Sequence, residues 1–220
     1  MIKLIKNIVR PQLLFCILIP LIACSSHTRQ GTDSSKADTL EGHAQYDTAT
    51  FAGGCFWCVE ASFEQIEGVV EAVSGYTGGE KENPTYKEVG MGLTNHAEAV
   101  QVFYDPEVIS YEVLLDIFFT AHDPTQLNRQ GPDVGKQYRS AIFYHSAEQK
   151  KLAEAKMERL GETYKKPIVT ELEPLTVFYK AEDYHQDYEK NHPENPYIQS
   201  VSKPKIERVA EAFQDRLKRN

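Results

Sequence analysis

Two glycines stand directly ahead of a cysteine in "FAGGCFWCVE", residues 51–60, and no other stretch restricts the backbone so tightly. The segment "YDTATFAGG" that leads into it reads as a short strand ending in glycines. From Cys55 onward Phe56, Val59, Phe63 and Ile66 recur on one helical face, and Gly68 supplies the stop. A strand must therefore become a helix within a few residues, and Gly53 and Gly54 let the backbone make that turn. Cys55 is then set at a helix N-terminus, where unpaired N–H groups and a partial positive charge stabilise a thiolate. Cys58 follows one turn later, close enough to form a disulfide with modest local distortion. On this reading Cys55 is the natural nucleophile and Cys58 the natural partner that resolves it.

The rest of the chain extends the alternation. "VVEAVSGYTGG" reads as a strand running into a glycine-rich loop, and "HAEAVQVFYDP" as a strand buried on both sides near its end. "SYEVLLDIFFTAH" follows as a helix and "RSAIFYH" as another strand. Ser146 and Gln149 then open a further helix with a capping-box pattern, ending at Gly161. A last amphipathic helix carries Ile206, Val209, Phe213 and Leu217. Strand, helix, strand, strand, helix, strand is the split βαβ order, so the expected fold is α+β: a ferredoxin-like two-layer core with extra helices and long loops.

Three segments differ in composition. Residues 1–23 join the cationic "MIKLIKNIVR" to the apolar run "PQLLFCILIPLIA", the marks of a secretory signal peptide. Its end with the next residue, Leu21-Ile22-Ala23-Cys24, resembles the lipobox of bacterial lipoproteins, which implies a lipid on Cys24. Residues 24–45 are polar, cannot bury a core and read as a tether; residues 46–220 form the catalytic domain. Without Lys3, Lys6 and Arg10 the 24 basic residues fall to 21 against 32 acidic ones, a charge of about −11. That balance argues against a nucleic-acid partner and leaves membrane attachment to the lipid. The expected location is the bacterial cell envelope, on the periplasmic side of a Gram-negative cell, with the body a monomer.

Cys16 leaves with the signal peptide, so Cys55 and Cys58 remain as the thiols of an exported domain. No second CxxC or paired histidine spacing completes a zinc site. Redox catalysis is the leading reading of the pair. A Cu(I)-binding or disulfide-exchange module is the alternative, since soft thiolates suit Cu(I) and CxxC at a helix start serves both. Neither alternative requires Phe56 and Trp57 between the thiols. Two exposed aromatics beside a nucleophile read as a pocket for a small apolar group.

"GGCFWCVE" resembles the active-site motif of the A-type peptide methionine sulfoxide reductases. "SGYTGG", "NPTYKEV", "NHAEAVQVFYDP", "HDPTQLNRQGPDVGKQYRSAIFY" and "AEDYHQDY" match the same family in order, from about Thr50 to Tyr197. The resemblance implies thiol-dependent reduction of the S epimer of methionine sulfoxide, free or in proteins, as repair of oxidised proteins. It implies that Cys55 is the nucleophile, that Phe56 and Trp57 receive the substrate methyl, and that Glu98, Tyr86, Asp133 and Tyr138 complete the site. The final segment "VSKPKIERVAEAFQDRLKRN" holds no cysteine, so recycling is expected on Cys58, as in the CFWC branch, rather than through a C-terminal relay. No metal or prosthetic cofactor is expected, only an external thioredoxin-like dithiol.

The chemistry fits those residue types. A thiolate attacks the sulfoxide sulfur while a proton reaches the oxygen, and a carboxyl kept neutral by an apolar pocket can supply that proton. Glu98 lies in a strand rich in Ala and Val; Tyr86 and Tyr138 can hydrogen-bond the oxygen, and Asp133 can orient water or hold the loop around Gly131 and Gly135. Cys58 then condenses with the sulfenic acid on Cys55. His185 and His96 are read as satisfied buried histidines without a catalytic role.

Overall fold

The computed structural model describes residues 45–219. The signal peptide, Cys16, Cys24 and all but the end of the tether lie outside the described residues.

β1 (Asp47–Gly53) runs into α1 (Phe56–Glu64), which returns to β2 (Val69–Thr77). A short helix α2 (Tyr86–Gly90) precedes β3 (Ala97–Tyr104), and α3 (Tyr111–Ala121) follows it. A two-stranded hairpin, β4 (Arg129–Gln130) with β5 (Asp133–Val134), comes before β6 (Ser140–Tyr144) and α4 (Ala147–Gly161). The chain ends in β7 (Glu171–Pro174), β8 (Tyr179–Lys180), a single turn α5 (Tyr188–Asn191) and α6 (Lys203–Ala212).

The six-stranded sheet has the order β7-β6-β1-β3-β2-β8. Its four inner strands pair antiparallel throughout, β6 with β1, β1 with β3 and β3 with β2. That is the split βαβ arrangement read from the element order, with β7 added in parallel and β8 antiparallel at the edges. α1 and α3 cover one face, where Phe51, Phe63, Val100, Leu114, Phe118 and Ile142 form the main core. The other face carries a smaller cluster of Ala52, Ala97, Ala99, Ala141 and Phe143 beneath Leu175 and Phe178.

Several sequence readings need correction. α1 is buried nearly all round rather than on one face, with Cys58, Glu60 and Ser62 enclosed as well, because β2, α3 and the C-terminal helix all pack against it. It ends at Glu64, and Gly68 is not its stop. Gly68 has φ +91° and leads into β2, where a Cβ would meet Ile109 at 2.7 Å. β3 is buried along its whole length except at Gln101, since it lies between two strands. At α4, Ser146 Oγ accepts from Gln149 N, but Gln149 Oε1 accepts from His145 N instead of closing the box on Ser146. The last helix stops at Ala212, so Leu217 is not part of it and pairs instead with Ile66.

Candidate active site

The turn between β1 and α1 builds the site. Gly54 adopts φ +96° and lies so close to the hairpin that a Cβ would meet Gln130 Cβ at 2.6 Å. Cys55 is the N-cap residue and Phe56 the first residue of α1. Glu98 points from β3 towards this helix end, on the same face as Val100 and Val102. Its Oε2 accepts from Phe56 N at 3.1 Å. The carboxyl is 2% exposed, and burial, with Asp133 and Cys58 nearby, pushes it up to about 8 against the one opposing hydrogen bond. Glu98 is therefore neutral at pH 7 and can donate a proton.

Around this centre the sequence-named residues converge. Tyr86 begins α2 and Tyr138 ends a 3₁₀ turn, Lys136–Tyr138. Burial first, then Glu98 and other neighbours, raises both phenols, Tyr86 to about 12, so both are hydrogen-bond donors. Asp133 on β5 accepts from Tyr197 Oη at 2.6 Å. The Tyr197 hydroxyl favours ionisation of the Cys55 thiol but is outweighed there by burial.

Phe56 and Trp57 do sit together, with ring centroids 6.2 Å apart, but they are not two exposed rings. Phe56 is 1% exposed because Tyr76, Tyr86 and His185 pack on it; only Trp57 keeps part of its surface open. Trp57 is held on three sides. Tyr188 stacks on it at 3.8 Å, Tyr197 meets it edge-on at 6.0 Å, and its Nε1–H donates to His185 Nδ1 at 3.1 Å.

Both cysteines are free, buried thiols. Their electrostatics reverse the simple helix-end expectation. Burial pushes Cys55 well above the ordinary thiol range, with Cys58 and Glu98 adding to it. Cys58 is drawn down to about 7, first by its hydrogen bond with Cys55 and then, against burial, by the Lys205 ammonium and the Ser202 hydroxyl. Burial thus disfavours ionisation of Cys55, while Lys205 and Ser202 favour it at Cys58.

Of the two histidines, His96 is satisfied, accepting from Gly79 N at Nδ1 and contacting Lys81 O at 2.7 Å through Nε2. His185 accepts from Trp57 at Nδ1, yet its buried Nε2 has no partner among the described residues, so it is not the fully satisfied histidine expected. Sequence reasoning missed Tyr188, Tyr197, Ser202 and Lys205. Tyr188 was within reach as the last residue of "AEDYHQDY"; the other three carry no local signal.

This geometry joins a buried thiol pair, a neutral carboxyl and an aromatic recess, and similarity to known proteins gives it a class. The family model for peptide methionine sulfoxide reductase matches residues 47–217. The chain belongs to the peptide methionine sulfoxide reductase family. It is 56% identical over 172 residues to peptide methionine sulfoxide reductase MsrA of Natronomonas pharaonis, covering 77% of this chain and 97% of that protein. Against the protein of the same name from Thermus thermophilus the identity is also 56%, over 78% of this chain and 98% of the relative.

Solved methionine sulfoxide reductases share the mixed sheet. The reduced form of Mxr1 from Saccharomyces cerevisiae is 41% identical with a TM-score of 0.64, over 69% of this chain and 88% of that one. Methionine sulfoxide reductase A of Corynebacterium diphtheriae is 38% identical with a TM-score of 0.65, over 71% and 79% of the two chains. As a methionine sulfoxide reductase the chain is an oxidoreductase with a repair reaction, and the Cu(I) and disulfide-exchange alternatives are not favoured.

Proposed function

We propose that the enzyme reduces the S epimer of methionine sulfoxide, free or in proteins, with Cys55 as nucleophile, Glu98 as acid and Cys58 as the resolving thiol. The observation that carries this reading is the neutral Glu98 carboxyl held against the helix end that bears Cys55. The methyl enters between Phe56 and Trp57. Tyr86 and Tyr138 donate to the sulfoxide oxygen, and Asp133 acts through Tyr197 to fix the recess. Cys55 Sγ attacks the sulfoxide sulfur, and Glu98 protonates the oxygen. The S–O bond of methionine is lost and one forms on Cys55, with the thiol proton ending on oxygen.

Cys58 then displaces hydroxide from the Cys55 sulfenic acid as water, giving the Cys55–Cys58 disulfide of the CFWC branch. An exported, thioredoxin-like dithiol reduces it. Cys24 carries lipid and holds the enzyme at the bacterial cell envelope. The lipobox resemblance supports this placement.

The test supplies the full chain, in detergent, with each methionine sulfoxide epimer and dithiothreitol. The S epimer alone is consumed, and Cys55→Ser abolishes the reaction. Cys58→Ser releases about one methionine per chain without thiol and stalls as sulfenic acid. Consumption of neither epimer by the wild type would overturn the reading. For the anchor, labelled fatty acid attaches to the wild type and not to Cys24→Ser; an unlabelled wild type removes it.

A further inference from the structure

The thiol that resolves the reaction is not left bare. Residues Ile198–Ser202 form a π-helical turn that runs straight into α6, since Ser202 at the junction is itself helical at φ −74° and ψ −53°. A π turn holds one residue more than an α turn, so it rotates everything that follows about the helix axis; such turns cluster at functional sites. Here the rotation brings two polar side chains, three residues apart, onto the Cys58 sulfur. Ser202 Oγ lies 2.9 Å from Cys58 Sγ, and Ser202 is fully buried. Lys205 Nζ lies 3.9 Å from the same atom, and among the described residues it pairs with no carboxylate. A buried hydroxyl and an ammonium directed at one sulfur form a site for negative charge.

From this geometry we infer that Ser202 and Lys205 form a cradle that holds Cys58 as the thiolate and so drives closure of the disulfide. The inference rests on the catalytic reading above and extends it to the resolving step. In that step the Cys58 thiolate attacks Cys55 Sγ, the S–O bond of the sulfenic acid breaks, and the leaving hydroxide takes a proton to depart as water. Sulfenic sulfur is reduced, thiolate sulfur is oxidised, and the electrons balance within the pair. This chain's C-terminal segment contributes a hydroxyl and a cation to the resolving thiol. The groups that face Cys58 are Cys55 at the start of its own helix, Ser202 from the π turn, Lys205 from α6, Asp133 from the hairpin, Glu98 from β3 and Tyr197 ahead of the π turn. Lys205 and Ser202 favour its ionisation; Asp133 opposes it.

Thiolate absorbance against pH reads the cradle without turnover. The full chain carrying Cys55→Ser is titrated beside the same chain with Lys205→Met, Lys205→Arg or Ser202→Ala added. Subtraction removes any contribution from Cys24. Lys205→Met and Ser202→Ala move the Cys58 midpoint up by about one pH unit, and Lys205→Arg restores it. Unmoved midpoints overturn the inference.

Rapid quenching after one equivalent of sulfoxide, with Cys55 present, then follows methionine release and disulfide closure separately. A thiolate of higher pKa is scarcer but more nucleophilic. With a Brønsted slope of about 0.45, Lys205→Met closes about threefold slower near pH 6 and about threefold faster near pH 9. Profiles that cross support the cradle; closure slowed by one factor at every pH signals a structural role only and overturns it. If midpoints move while the wild type releases no methionine, the catalytic reading fails and the cradle stands.

Discussion

At the scale of single residues, burial governs the ionisable groups of the candidate site. Glu98 and the two cysteines are buried within one small region, and three negative charges cannot coexist there. Glu98 keeps its proton because desolvation outweighs the single N–H bond from Phe56. In its proposed role as acid Glu98 must be protonated, so the rate should fall as pH rises through about 8, the value to which Glu98 is raised. Glu98→Gln preserves shape and the acceptor for Phe56 N but cannot transfer a proton. Single-turnover methionine release at pH 7 should drop by about 10²–10⁴-fold and lose this alkaline limb. An unchanged limb in the variant would assign the titration to another group.

At the scale of elements, the β1–α1 turn and the β4–β5 hairpin form one unit. Gly54 can approach Gln130 only without a Cβ, and its φ of +96° suits no L side chain. Gly54→Ala should cost about 1–3 kcal/mol by urea denaturation, from strain and the collision together. It should also slow the first turnover, because Cys55 is the next residue. Equal stability with full activity would mean that the hairpin moves away freely. The π turn acts likewise at the other end of the site, setting the rotation of α6 and so the approach of Ser202 and Lys205 to Cys58.

Across the whole molecule, buried ionisable groups shape stability against pH. Glu98 and Glu60, each 2% exposed, are both raised to about 8, Glu60 by burial first and then by Glu64. Both hold protons in the folded state that the unfolded chain releases from about pH 4.5 upward. Their contribution is complete below that pH and is lost as pH rises through about 8. Each can cost up to about 1.4 kcal/mol per pH unit over that window. His122 acts on the acid side: burial lowers it to about 4, so stability falls as pH drops from about 6.5 through that value. Where the windows overlap, two carboxyls outweigh one histidine, so on these groups urea midpoints should peak near pH 4.5, and Glu60→Gln should make the alkaline fall shallower. A fall of unchanged slope would show that Glu60 is not the group that titrates.

The sequence by itself determined the strand-to-helix turn and the element order that gives the β6-β1-β3-β2 core, and the family resemblance named the residues of the proposed site. Glycine ahead of cysteine, alternation and helical periodicity are local signals, and the ordered motifs named the family's residues. Only the tertiary structure decided that Phe56 is buried while Trp57 stays partly open, because the rings that enclose them come from α2 and from the segment around His185 and Tyr188. Tertiary packing also set the environments of the two thiols, burial at Cys55 and the Lys205 and Ser202 side chains beside Cys58. That balance depends on Glu98, 43 residues after Cys55 in the sequence, and on Lys205, 147 residues after Cys58. Desolvation and charge act through space, and no spacing along the chain records where β3 and α6 finally lie.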